Sequence, residues 1–290
     1  MPELPEVEAL VGFLEEKLKG QEIDRFELVA FSALKTFDPP VDALSGRIVE
    51  AVRRRGKFLD IDLGQLPEPL HLVFHLARGG WVKWSDALPA ARAKPSKGPL
   101  AFRVRLVDGS GFDVTEMGTE KRLAAYVVRS PDDIEHVATL GPDPLSPDFD
   151  LATFRAALAG QAGNIKKVLT DQSVIAGVGN AYSDEALHAA RMSPFKPAGK
   201  LSEDESARLF DAVVSVLRDA LERSAGLPAK GLKAEKKGGL KVHGRTGQPC
   251  PVCGDTVREV SFATKSLQYC PTCQTGGKPL ADRRLSRLLK

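Results

Sequence analysis

CPVCGDTVREVSFATKSLQYCPTC, residues 250–273, holds all four cysteines of the chain in two Cys-x-x-Cys knuckles sixteen residues apart. Two such knuckles let four thiolates converge on one tetrahedral ion, and an all-sulfur donor set favours zinc. Redox chemistry needs only one pair, so the second pair points to metal. With Cys250, Cys253, Cys270 and Cys273 all engaged, no coordination position stays open. The Zn2+ is therefore expected to be structural, folding a β-hairpin rather than catalysing. Residues 241–275 are too few to hold a shape through apolar burial alone, and the metal is expected to supply what is lacking. No secretion signal accompanies the pattern, which makes disulfides the weaker reading.

Outward from this stretch the charge is uneven. Residues 1–150 carry 19 Lys+Arg against 25 Asp+Glu, whereas residues 226–290 carry 13 against 4. Such a basic segment is expected either to meet a polyanion or to form a solvated lysine-rich surface. The chain has 290 residues, 42% of them hydrophobic, enough for two ordinary domains or one large one and too apolar for wholesale disorder. No apolar run approaches a membrane span and the N-terminus is acidic, so an intracellular, cytoplasmic protein without a membrane partner is expected.

Apolar periodicity divides the chain. Val7, Leu10, Val11, Leu14 and Leu18 form one face of a first helix that Gly20 stops, with Pro5, Glu6 and Glu8 in its first turn. Short alternating strands follow in EIDRFELVA, IVEAVRRRGKFLDIDLG and HLVFHLARGGWVKW. AFRVRLVDGSGFDVTE reads as a hairpin, Phe102, Val104 and Leu106 answered by Phe112 and Val114 across Asp108-Gly109. A helix leading a run of hairpins suggests a β-sandwich or barrel. Residues 131–149, rich in Pro and Asp, read as a linker. Helices are expected near 151–161, 163–172, 180–191 and 201–224. AGLPAKGLKAEKKGGLK, residues 225–241, is too polar and glycine-rich to predict structure. The tail, 276–290, reads as a short basic helix carrying Leu285, Leu288 and Leu289.

Two further stretches invite a chemical reading. Gly177 and Gly179 in IAGVGNAYSDEAL permit backbone turns, with Asn180 placed to cap the next helix. Backbone N–H groups at such a start attract phosphate; a plain helix-to-helix turn is the alternative. Pro2 and Glu3 precede the apolar stripe, and helix formation does not require them.

Taken in order, PELPEVE after the initiator Met, RRRGKFL, LGPDPLS, GVGNAYSDEAL and VHGRTGQPCPVC…YCPTCQ resemble the formamidopyrimidine-DNA glycosylase / endonuclease VIII family of base-excision repair enzymes. The resemblance spans residues 2–274. It implies an α+β multidomain fold: an N-terminal β-sandwich with a leading helix (1–130), a linker (131–149), a helix-two-turn-helix domain (150–240), a zinc-finger β-hairpin (241–275) and a basic tail. It also implies that DNA lies in a cleft, with one monomer sufficient for one site.

The resemblance assigns roles to residues. Removal of Met1 leaves Pro2 with a free secondary amine, a nucleophile toward a sugar C1′. Attack expels the damaged base and leaves a Schiff base, whose positive charge acidifies the C2′ proton and lets the 3′ phosphate leave. Glu3 is placed to protonate the ring oxygen and shuttle protons. Glu6 matches a further acid near the site, and Lys57 matches the hairpin lysine beside the lesion phosphate. Asn180, Lys166 and Lys265 match DNA-binding positions, Lys265 standing where the family has an arginine.

The void-filling loops depart from the family. An extruded nucleotide leaves a gap in the duplex that side chains must occupy. HLARGG puts Arg78 where the 8-oxoguanine branch has an intercalating methionine, and KRL offers Lys121, Arg122 and Leu123 where that branch has RRF. Arg122 is expected to meet the orphaned base and Leu123 to wedge between bases. The 225–241 segment is also shorter than the loop that closes over a flipped purine in that branch. This tilts the expected substrates toward oxidised pyrimidines, ring-opened purines and abasic sites. The competing readings are a catalytically reduced, structure-specific DNA-binding protein on the same scaffold and, less well matched, a zinc-ribbon module that binds protein.

Overall fold

The computed structural model describes residues 1–94, 98–262 and 265–281. They form two compact units: Met1–Thr139 with Ser224–Lys233, and Leu140–Arg223 with the chain from Ala234 onward. The helix expected around Leu285, Leu288 and Leu289 lies outside the described residues. No helix among those described is long and apolar enough to cross a membrane.

The first unit opens with α1 (Leu4–Leu18). Glu3 is its N-cap and Pro5 lies in its first turn, and the apolar stripe from Val7 to Leu18 is buried as the spacing predicts. Gly20, at φ 78°, turns the chain away. Eight strands follow: β1 (Ile23–Leu28), β2 (Ala51–Arg55), β3 (Phe58–Asp62), β4 (His71–His75), β5 (Gly80–Ser85), β6 (Leu100–Leu106), β7 (Gly111–Glu116) and β8 (Ala124–Val128). They make two antiparallel four-stranded sheets, ordered β1-β6-β7-β5 and β2-β3-β4-β8. The β6–β7 hairpin has the expected register, Phe102 opposite Val114 and Val104 opposite Phe112.

Alternation sends one face of each sheet inward, and aromatic rings from both meet there. Phe102 stacks on Phe26 at 5.1 Å and meets Phe74 of the other sheet edge-on at 5.5 Å. Short α2 (Glu135–Ala138) follows the sandwich.

The second unit is helical: α3 (Leu151–Leu158), α4 (Ile165–Leu169), α5 (Asn180–Ala189) and α6 (Glu203–Ser224). Asp150 caps α3 through Thr153 N–H, and Asn164 caps α4 through Lys167 N–H. Both helices are shorter than predicted, because Gly160 and Gly163 take left-handed conformations between them.

Residues 225–241 are structured, contrary to the reading of their composition. Helix α7 (Leu232–Gly239) forms within them. Ala229 and Leu232 enter the sandwich core, and the Trp81 indole N–H donates to the Ala229 carbonyl at 3.1 Å. Lys233 sets its ammonium 4.5 Å from the same indole ring. The polar composition hid two apolar anchors and a cation–π contact. Beyond α7, β9 (Arg258–Ser261) and β10 (Ser266–Tyr269) form the cysteine hairpin, closed by α8 (Pro271–Thr275).

Candidate active site

Within the first unit, Pro2, Glu3, Glu6 and Lys57 are all buried. Glu3 and Glu6 form a reciprocal capping box at the start of α1, the Glu6 carboxylate accepting the Glu3 N–H at 2.8 Å. Glu6 therefore fixes the backbone that carries Glu3. With Met1 attached, the Pro2 nitrogen is an amide; its removal makes it an amine.

Lys57 sits in the β2–β3 turn, where Gly56 adopts φ 56°. Two links tie this hairpin to α1: Glu8 pairs with Arg54, and Glu15 accepts the Val52 N–H. The helix start that carries Pro2 and Glu3 and the hairpin that carries Lys57 are thus held by one packed pair of elements.

His75, which the sequence reading passed over, lies opposite Phe58, the residue after Lys57. Its ring centroid is 4.8 Å from that of Phe58. Burial, then the Lys57 charge and His136, push its pKa down to about 4. Its Nδ1 accepts the Ala77 N–H at 3.1 Å, so the neutral ring carries its proton on Nε2. A neutral donor beside the lysine is suited to an anionic oxygen. The available signal was the placement of a histidine at the end of HLVFH, directly before the HLARGG turn.

That turn is tight. Ala77 takes φ 49°, and Gly80 N–H returns to the Leu76 carbonyl at 2.8 Å. Arg78 is exposed at its tip. Lys121 and Arg122 are exposed on the β7–β8 loop, whose course is set by the Glu116 carboxylate accepting the Arg122 and Leu123 N–H groups. Leu123 itself is only 2% exposed and belongs to the sandwich core. Its expected role as a wedge between bases is not supported by this placement.

In the second unit the glycine turn is stapled by Gln172, whose side chain accepts the Gly177 N–H and donates to the Val178 carbonyl. Gly177, at φ 84°, needs the absence of a side chain. Gly179, not Asn180, is the N-cap of α5; Asn180 is its first residue.

Lys166 also departs from expectation. It is buried, and its ammonium donates to the Asn180 carbonyl, the Ser183 hydroxyl and the Asp184 carboxylate at 3.0, 2.9 and 2.7 Å. Those three partners use all three of its N–H donors, so in this structure Lys166 organises the start of α5. Asp184 continues inward, accepting from His243 Nδ1 at 2.7 Å, while Glu185 accepts the N–H groups of Lys241, Val242 and His243. Adjacent acids of the SDEAL stretch thereby secure the start of the cysteine segment, a role no local pattern announced. Lys265 is exposed beside the hairpin turn.

The sulfurs of Cys250, Cys253, Cys270 and Cys273 all lie within 4.8 Å of one another. A tetrahedral zinc with bonds of about 2.3 Å needs sulfurs about 3.8 Å apart, so the four fit one Zn2+. His188 Nε2 lies 3.3 Å from the Cys250 sulfur, the outer-shell contact a thiolate ligand uses.

Family models match three stretches: the formamidopyrimidine-DNA glycosylase N-terminal domain over residues 1–123, its H2TH domain over 140–229, and the zinc finger found in FPG and IleRS over 247–276. The chain belongs to the formamidopyrimidine-DNA glycosylase family. It is 35% identical to the formamidopyrimidine-DNA glycosylase of Heliobacterium modesticaldum, with 94% of this chain and 100% of the relative aligned. A formamidopyrimidine-DNA glycosylase-like protein of Mycobacterium tuberculosis is 65% identical over 151 residues, 52% of this chain and 94% of the relative. Among solved structures, MutM in complex with DNA containing carbocyclic 8-oxo-G superposes with a TM-score of 0.81 at 28% identity, covering 94% of this chain and all of that one. Lactococcus lactis Fpg with abasic-site DNA gives 0.80 at 27% identity, over 94% and 99%.

Proposed function

We propose that this protein is a base-excision repair glycosylase with abasic-site lyase activity, acting on damaged DNA through the Pro2 amine. The observation that carries the reading is the buried Pro2–Glu3 pair, built into the capping box of α1 and tied through α1 to the Lys57 hairpin. Pro2 attacks C1′ and the base departs. Glu3 donates a proton to the opening sugar and later serves as proton carrier. Lys57 and the Nε2–H of His75 hold the neighbouring phosphate. Loss of the C2′ proton then expels the 3′ phosphate. Asn180, Lys265, Arg78 and Arg122 complete the proposed DNA contacts, and Zn2+ holds the hairpin that carries Lys265.

The substrates proposed are oxidised pyrimidines, ring-opened purines and abasic sites. A cytoplasmic monomer, nucleoid-associated when bound to DNA, suffices for a single site. The buried Leu123 and the charged Arg78 favour one second reading, a DNA-binding protein with reduced excision. Incubating the mature protein and Pro2→Gly with abasic-site DNA and borohydride separates the two. A covalent band mapping to residue 2, absent from the variant, is expected. No band from protein that lacks Met1 and binds the DNA would assign the second reading.

A further inference from the structure

Neither Arg78 nor Leu123 makes a satisfactory apolar plug: one is charged, the other lies in the core. The loop after β7 holds an alternative. Met117 is 63% exposed, and it is the one large apolar side chain exposed on either loop among the described residues. Its position is set by the neighbouring turn. Met117 N–H donates to the Gly79 carbonyl at 3.0 Å, and a Cβ on Gly79 would lie 2.1 Å from the Met117 carbonyl oxygen. Only glycine permits that approach, so the residue beside Arg78 and Met117 are locked together. On the far side, Glu116 fixes the turn with the Arg122 and Leu123 N–H groups, and its own carbonyl receives the Lys121 ammonium at 2.5 Å.

The result is an exposed thioether on a loop that also carries the exposed cations Lys121 and Arg122 and whose backbone is bonded to the turn that carries Arg78. This is what a duplex gap asks for: an unbranched apolar group to enter the stack and positive charges to meet the phosphates around it. Other exposed apolar residues of this unit, such as Phe37 and Val107, lie away from these two loops. The geometry points to Met117 as the residue that enters the duplex when the damaged nucleotide is extruded. In this chain the plug comes from the second loop rather than the first, and Arg78 is left to contact the strand.

The inference rests on the reading that the chain binds lesion DNA, and its test does not require turnover. A duplex carrying a stable tetrahydrofuran abasic analogue, with 2-aminopurine as the adjacent base, reports unstacking by fluorescence while anisotropy reports binding. Wild type is expected to raise the fluorescence. Met117→Ala should lose at least half of that rise at saturating protein, Met117→Leu should restore most of it, and Val107→Ala should match wild type. A full rise from Met117→Ala, or tight binding by wild type with no rise, overturns the assignment of Met117 and leaves the glycosylase reading intact. No binding by wild type, together with no borohydride band, overturns both.

Discussion

The Asn180 side-chain amide donates to the Ser266 carbonyl at 2.8 Å, so the first residue of α5 holds the second strand of the zinc hairpin. The phosphate-binding position proposed for Asn180 is therefore coupled to the metal site through β10. Chelation of zinc, or Cys270→Ser, is expected to lower affinity for abasic-site DNA by at least about tenfold, or about 1.4 kcal/mol. Anisotropy at fixed salt, paired with a colorimetric zinc assay, measures it. Unchanged affinity in zinc-free protein would contradict the coupling.

Lys166→Met tests whether that lysine acts within α5 or on DNA. Removing a buried, fully bonded ammonium leaves Asp184 without its main cation, and such a break costs about 3–5 kcal/mol. Urea denaturation should show that loss. The slope of DNA affinity against salt should stay at the wild-type value, because no phosphate contact is removed. A slope reduced by about one unit would restore Lys166 to the DNA surface.

Leu123→Ala and Arg122→Ala should separate cleanly. The first opens a cavity in the sandwich and is expected to cost about 2–5 kcal/mol of stability. The second removes an exposed side chain whose one ion-pair partner among the described residues is exposed Glu120 on the same loop. It should change stability by less than about 0.5 kcal/mol while weakening DNA binding. Thermal melts and anisotropy on the same preparations decide it.

His75 makes stability depend on pH in a stated direction. Its folded pKa, about 4, lies below the ordinary 6.5. The unfolded chain therefore takes up a proton first as pH falls. The contribution is complete above about pH 6.5, declines between 6.5 and 4, and amounts to roughly 3 kcal/mol. Denaturation of wild type and His75→Gln across that window should give curves that converge toward pH 4. Parallel curves would contradict the assignment, as would a histidine NMR resonance of this residue titrating near 6.5.

Local spacing made much of the protein legible. The cysteine knuckles, the α1 stripe and the β6–β7 register are properties of neighbours in sequence, and each survives in the structure. What composition could not show was depth. Lys166 and Leu123 read as surface residues because their burial depends on Asp184, Ser183 and the opposing sheet, none of which a local window contains. Asn180 missed the cap by one position because Gly179 supplies the extended backbone there. His75 was overlooked because its value lies in its partner across the β3–β4 ladder. The 225–241 segment concealed its anchors, Ala229 and Leu232, among lysines and glycines.

Those two anchors carry an implication for heredity as well as for folding. The sandwich is completed by residues 224–233, which the ribosome adds almost ninety positions after Thr139. Until they arrive, the apolar seat filled by Ala229 and Leu232 and the Trp81 indole N–H lack their partners. The N-terminal half is thus not a self-contained cassette. A recombination event that exchanged everything after residue 139 would keep Trp81 but inherit whatever plug the donor carried, and only donors with a matching plug would yield a sound sandwich. The sandwich is thus one folding unit drawn from two distant stretches of the chain.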